Sequence, residues 1–139
     1  MGSENFYEFA ENDFYGIKKS IEAEIFFTGM SSTCQNICER YLKYIIETCV
    51  QNIDKDSKEY TFIMRTHSLK NLCSFISKNL PDSNFNKAKI CQADGYYFSS
   101  RYPGKDSFIA DKDDILLCWE AIKYCKECVD DYISSHNKK

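Results

Sequence analysis

The sequence predicts an all-α protein, an antiparallel up-and-down helical bundle in a single domain spanning residues 1–139. Three observations lead there. Apolar residues recur every three to five positions through most of the chain, the period of a half-buried helix. No stretch shows the two-residue alternation of a half-buried strand. The links between the periodic segments are short, which makes successive helices antiparallel neighbours. A length of 139 residues fits one domain. It suffices to bury roughly two-thirds of the unfolded surface without a disulfide or metal staple.

The first helix is expected from Asn5 to Thr28, with Phe6, Phe9, Phe14, Ile17, Ile21 and Ile25 facing inward and Gly29 as its stop. Ser31 or Ser32 can cap the second, whose inward stripe is Cys34, Cys38, Tyr41, Leu42, Ile45 and Cys49. Its outer face is expected to carry Glu39, Lys43 and Glu47, including a Glu-to-Lys pair four apart. The segment QNIDKDSKEY at 51–60 lacks an apolar period and reads as a loop. Thr66 or Ser68 opens a third helix with Leu69, Leu72, Cys73, Ile76 and Leu80 on one face. Asn79-Leu80-Pro81-Asp82-Ser83 ends it and is expected to cap the next.

The fourth element, Asn84 to Tyr102, contains Gly95, which costs about 1 kcal/mol relative to Ala in a helix and predicts a break or a close contact. Pro103-Gly104 then forces a turn. Asp111 with Asp114 three residues on forms a capping arrangement for the last helix. That helix runs to Ser135 with Ile115, Cys118, Trp119, Ile122, Cys125, Val129 and Tyr132 facing in, and the tail from His136 onward is expected to fray.

A net charge of −3 argues against a sequence-independent nucleic-acid binder, which needs clustered Lys and Arg, but leaves room for a local basic site. No stretch approaches the roughly 18–20 apolar residues of a membrane span. The opening MGSENFYEFAENDF carries acids where a signal peptide has a basic and then an apolar region. A soluble, cytoplasmic protein is expected.

Its eight cysteines should then be reduced thiols. The spacings Cys34-x3-Cys38 and Cys125-x2-Cys128 raise the question of a metal site. Helical phase answers it differently. Cys34, Cys38 and Cys49 fall within about 60° of one another, and Cys118, Cys125 and Cys128 within about 80°. Both arcs lie on apolar stripes, where cysteine acts as a small hydrophobe. The spacers, Gln-Asn-Ile and Lys-Glu, lack the turn chemistry of a zinc knuckle. No metal and no cofactor are expected.

Catalytic motifs are missing from the sequence: no glycine-rich phosphate loop, no HExxH and no serine elbow. A cysteine nucleophile would need His67 as its base, and Cys73, the nearest in sequence, lies on the apolar face of the third helix. His67 itself, at a helix start, reads either as a capping or packing residue or as a hydrogen-bonding group beside Arg65.

Three segments carry a resemblance that reaches further. Cys38-Glu39-Arg40-Tyr41-Leu42-Lys43-Tyr44-Ile45-Ile46 resembles the second-helix signature of HEPN domains, a glutamate and two basic residues along an apolar face. Arg65-Thr66-His67-Ser68-Leu69-Lys70-Asn71-Leu72 is similar to the Thr-His-x-Leu start of their third helix. Ala93 through Gly104 resembles their segment ending in Arg-Tyr-Pro, here Arg101-Tyr102-Pro103. Together with the flanking helices, the three cover nearly the whole chain. The resemblance implies a bundle of four long helices plus a shorter extra one, often dimeric. It also implies one of two roles: a ribonuclease, many of them toxins or defence proteins, or a non-catalytic partner of a small nucleotidyltransferase, some of them proposed to bind nucleotides.

The nuclease branch carries an arginine followed, after four to six residues, by a histidine. Here those positions hold Asp106, Ser107 and Phe108 after Arg101; Ile45, Ile46 and Glu47 after Arg40; and Lys70, Asn71 and Leu72 after Arg65. No residue is therefore given a catalytic role. The expected function is a binding or accessory module, partner of a nucleotidyltransferase and binder of a nucleotide or RNA, working as a homodimer without a membrane. The alternative is a ribonuclease of a toxin–antitoxin or defence system with a rearranged site. The candidate ligand-binding residues are Arg40, Lys43, His67, Tyr97, Arg101 and Tyr102. For Arg101 and Tyr102 two readings stay open: a structural helix end, or an anion site with Arg as bidentate donor.

Overall fold

The structure, a computed structural model, describes residues 3–27, 29–95 and 111–136. Among these it is all-helical, with no strand. Six α-helices follow in order: α1 (Ser3–Glu22), α2 (Gly29–Cys49), α3 (Lys58–Arg65), α4 (Leu69–Asn79), α5 (Lys87–Ile90) and α6 (Lys112–His136), with a single 3-10 turn at Cys91–Ala93 after α5. No helix among the described residues is long and apolar enough to cross a membrane.

α2 is the axis of the core, with α1, α4 and α6 packed against it. Its Met30, Cys34, Ile37, Cys38, Tyr41, Leu42, Ile45 and Ile46 are completely buried. A full burial of this kind contributes roughly 1.5–3 kcal/mol per large aliphatic side chain. A helix surrounded by others has no solvent face, so its polar residues go inside as well. Glu39 and Lys43 are only 3 % and 7 % exposed. The expectation that they line an outer face is wrong, although their pairing four residues apart is present at 3.7 Å.

The last helix follows its stripe closely: Ile115, Cys118, Trp119, Ile122, Cys125, Val129 and Tyr132 are all buried. At its start the Asp111 N–H donates to Asp114 Oδ2 at 3.1 Å and the Asp114 N–H to Asp111 Oδ1 at 2.9 Å, a reciprocal cap. Its end departs from expectation. His136 does not fray: it belongs to α6, stacks on Tyr132 at 3.9 Å between ring centroids, and its Nε2 lies 2.8 Å from Asp82 Oδ2. A partner in the α4–α5 link, far away in sequence, holds it.

Other boundaries also shifted. α1 ends at Glu22, before Gly29, because Glu24 takes a left-handed conformation (φ 58°) and the Ile25 N–H turns back to Ser20 O at 2.9 Å. Ile25 and Phe9, both expected inside, are 56 % and 55 % exposed. α2 begins at Gly29, and Ser31 and Ser32 are buried residues of the helix rather than its caps. The 51–60 loop is helical from Lys58 onward: Ser57 Oγ accepts from the Tyr60 N–H, while Tyr60 and Ile63 are buried. Two apolar anchors three residues apart were too short a period to read. The next helix after α4 is capped by Asn86, not by the Asp82-Ser83 pair. Among the described residues of the element expected from Asn84 to Tyr102, only α5 and the 3-10 turn to Ala93 are helical. Gly95 breaks it with φ 90°, a conformation that favours glycine. Residues 96–104, with the expected Pro103-Gly104 turn, lie outside the described residues.

A polar network ties α1, α2 and α6 together. Tyr41 donates to Glu11 Oε1 at 2.6 Å, and Tyr7 to Asp130 Oδ1 at 2.7 Å. The Lys126 ammonium joins them, donating to Glu11 at 2.8 Å and to Asp130 at 2.7 Å.

Candidate ligand-binding site

Glu39 is the centre of the polar cluster that α2 carries inside. Gln35, Glu39 and Lys43 are spaced by four, so they form one stripe along the helix. That stripe faces the link between α3 and α4. His67, in the link, places its Nδ1 3.1 Å from Glu39 Oε1, while Lys43 Nζ approaches the same oxygen at 3.7 Å. Gln35 Nε2 donates to the His67 carbonyl and, at 3.4 Å, to Asp94 Oδ1.

Asp94 closes the corner. Its Oδ1 accepts from the Leu69 N–H and its Oδ2 from the Lys70 N–H, each at 3.1 Å. These are among the unpaired donors of the α4 N-terminus, where a carboxylate is also favoured by the helix dipole. Ser68 is the N-cap of α4, its Oγ accepting from the Asn71 N–H. Of the two starts open to α4, Ser68 is the one used, and His67 is not the cap. Its ring serves Glu39 instead.

Burial dominates the electrostatics. It pushes the Glu39 carboxyl above its usual range, opposed by the hydrogen bond to His67 and the charge of Lys43. Burial likewise lowers the Lys43 ammonium, opposed by Glu39. Both groups are drawn toward neutrality, so neither charge is fully compensated by the other. Glu39 Oε2 is buried with no hydrogen-bond partner among the described residues. An orphan of this kind costs about 1–3 kcal/mol until a donor reaches it. With Glu39 ionised, His67 carries its proton on Nδ1 and the ring is fixed in orientation. The corner therefore offers an oriented imidazole, a buried cation and an unmatched acceptor.

Arg40 is not part of it. One residue on from Glu39, it turns about 100° around α2, and its Nη1 donates to Asp13 Oδ2 of α1 at 2.8 Å. Its guanidinium lies 5.5 Å from the centroid of the Phe9 ring. Lys43 and His67 are thus brought together through Glu39, and Arg40 is held apart. Tyr97, Arg101 and Tyr102 lie outside the described residues. The sequence reading missed Gln35, Glu39 and Asp94. The four-residue spacing of Gln35, Glu39 and Lys43 was the available signal for the first two; Asp94 had none beyond its place before Gly95.

The cysteines sit in the core. Cys34, Cys38, Cys73, Cys118 and Cys125 are buried, and Cys49, Cys91 and Cys128 half-buried. Burial raises the thiols of Cys34 and Cys73 well above the usual range, which disfavours the thiolate needed for nucleophilic attack or metal ligation. Among the described residues no three of His, Cys, Asp and Glu are grouped to hold a metal ion.

The family model for the HEPN domain matches residues 3–132. Neither the comparison with curated proteins nor that with solved structures finds a match.

Proposed function

The chain belongs to the HEPN family, and on that premise we propose that it is a binding or accessory module, the partner of a nucleotidyltransferase and the binder of a nucleotide-like anion. In this reading it is one domain, built on four long helices and a shorter one, cytoplasmic and homodimeric. Support for the accessory role comes from the sequence, in which no arginine is followed at the family's spacing by a histidine. The observation that carries the ligand site is the Glu39–His67–Lys43 cluster, a buried carboxylate holding a part-exposed imidazole beside a cation. Lys43 and His67 supply donors to an anion, and the Glu39 Oε2 accepts from its hydroxyl or amino groups. Tyr97, Arg101 and Tyr102 are proposed as further contacts to such a ligand, with Arg101 as the bidentate donor.

A second reading, a ribonuclease of a toxin–antitoxin or defence system, has one observation in its favour. A histidine oriented by a buried carboxylate is also how a general base is built. Arg40 gives it no help, being paired with Asp13 on another face.

Co-expression with a small nucleotidyltransferase from the same host, followed by gel filtration, tests the first reading, and a joint peak is the expected result. An assay on structured and single-stranded RNA without metal tests the second. Cleavage by wild type that both His67→Ala and Arg101→Ala abolish, with separate elution of the two proteins, would replace the accessory role with the nuclease.

A further inference from the structure

α3 buries Tyr60 and Ile63 and presents the opposite face outward. Along that face Lys58, Phe62 and Arg65 follow one another at four and three residues, which aligns them in a single stripe. Phe62 is 61 % exposed, the most exposed of the large apolar side chains among the described residues. Lys58 and Arg65 have no ion pair or hydrogen bond among the described residues, whereas Arg40 is paired with Asp13. In a chain of net charge −3, two cations without an ion pair on either side of an exposed ring, against the single acid Asp56, leave a local excess of positive charge. A recess of about 410 Å³ opens here, lined by these three residues with Asp56, Thr61 and Thr66.

We propose that the outer face of α3 is a subsite for a base–phosphate unit: Phe62 stacks the base, and Arg65 and Lys58 take the phosphate. The chemistry divides along the recess. A phenyl face is a sequence-tolerant stacking platform for any nucleobase. A guanidinium grips phosphate oxygens in bidentate fashion, and an ammonium adds a point charge. Asp56, a poor neighbour for a bare anion, suits the ribose hydroxyls that lie between base and phosphate. An apolar peptide would leave the two cations unused, and a purely anionic ligand would leave Phe62 in water and meet Asp56. The subsite rests on the nucleotide-binding part of the reading above, and it is separate in residues from the Glu39–His67–Lys43 corner.

The test is binding of two probes to the full chain, AMP by calorimetry and a labelled hexa-adenylate RNA by fluorescence anisotropy. Phe62→Ala should weaken binding on the order of ten-fold or more, and Phe62→Tyr should restore it. Arg65→Ala should weaken it and flatten its salt dependence. Phe62 is exposed, so an unchanged melting temperature confirms that these variants fold. Binding of AMP alone marks a mononucleotide as the ligand, and binding of the RNA alone marks a strand; either supports the subsite. If both probes bind, and are lost in His67→Ala or Lys43→Ala but not in Phe62→Ala, the subsite is wrong while the nucleotide reading stands. If neither probe binds, or if Phe62→Ala disrupts only co-elution with a nucleotidyltransferase, the subsite is overturned. In the latter case the face is a protein-docking surface.

Discussion

His67 Nδ1 lies 3.1 Å from Glu39 Oε1, and this bond joins the most buried acid of α2 to the link that starts α4. The two residues are 28 positions apart. Burial of Glu39, which this bond only partly offsets, makes the pH response of the core opposite in sign to that of an ordinary surface carboxylate.

Burial raises the Glu39 carboxyl above its ordinary value of 4.5, so the folded protein binds that proton more tightly than the unfolded chain. Such a group adds stability below its unfolded pKa, and that stability is lost as pH rises through the folded pKa. The wild-type stability measured against Glu39→Gln should therefore improve as pH falls from neutrality to below 4.5. Urea unfolding of both proteins across that range checks it; a difference that shrinks toward acid pH contradicts the assignment.

At the contact between the α4–α5 link and the end of α6 the sign reverses. Hydrogen bonds from His136 and then Tyr132 hold the Asp82 carboxyl below its ordinary 3.8. Stability from a depressed acid is present above the unfolded pKa and is lost as pH falls through the folded one. The melting temperatures of wild type and Asp82→Asn should converge below pH 3.8. Amide exchange over the last turn of α6 should quicken in the same window, and an unchanged exchange rate there would show that His136 does not pin the helix.

Asp94→Ala removes the acceptor for two N–H groups at the start of α4. Loss of such a cap costs about 1 kcal/mol, with 2 as the upper end. It should appear as a lower urea midpoint with an unchanged slope. A shift no larger than a few tenths of a kcal/mol would mean that Ser68 alone caps the helix.

The thiols should be unreactive in the folded state. Cys34, Cys38, Cys73, Cys118 and Cys125 are expected to titrate with a disulfide reagent only on unfolding, and Cys49, Cys91 and Cys128 more slowly than a free thiol. Protein purified without chelator should carry no stoichiometric zinc. A fast-reacting thiol, or zinc near one per chain, would overturn their assignment to the core.

What the sequence determined alone was the helical character and the packing of the clearest stripes. The α6 face from Ile115 to Tyr132, the Asp111–Asp114 cap and the break at Gly95 follow from spacing and local chemistry, because each depends only on residues within a turn or two. The cysteines on those stripes were legible for the same reason. What only the tertiary structure decided was which face of α2 counts as outside. Periodicity marks an apolar face, but it does not reveal that the α3–α4 link packs over the polar one. Once covered, Glu39 became a core residue needing a partner from outside its helix, and His67 supplied it through a contact no local rule contains. The same holds for His136, fixed by Asp82, and for Arg40, drawn to Asp13. Charged side chains take their roles from whatever lies across the interface, because desolvation and pairing depend on three-dimensional neighbours rather than on spacing along the chain.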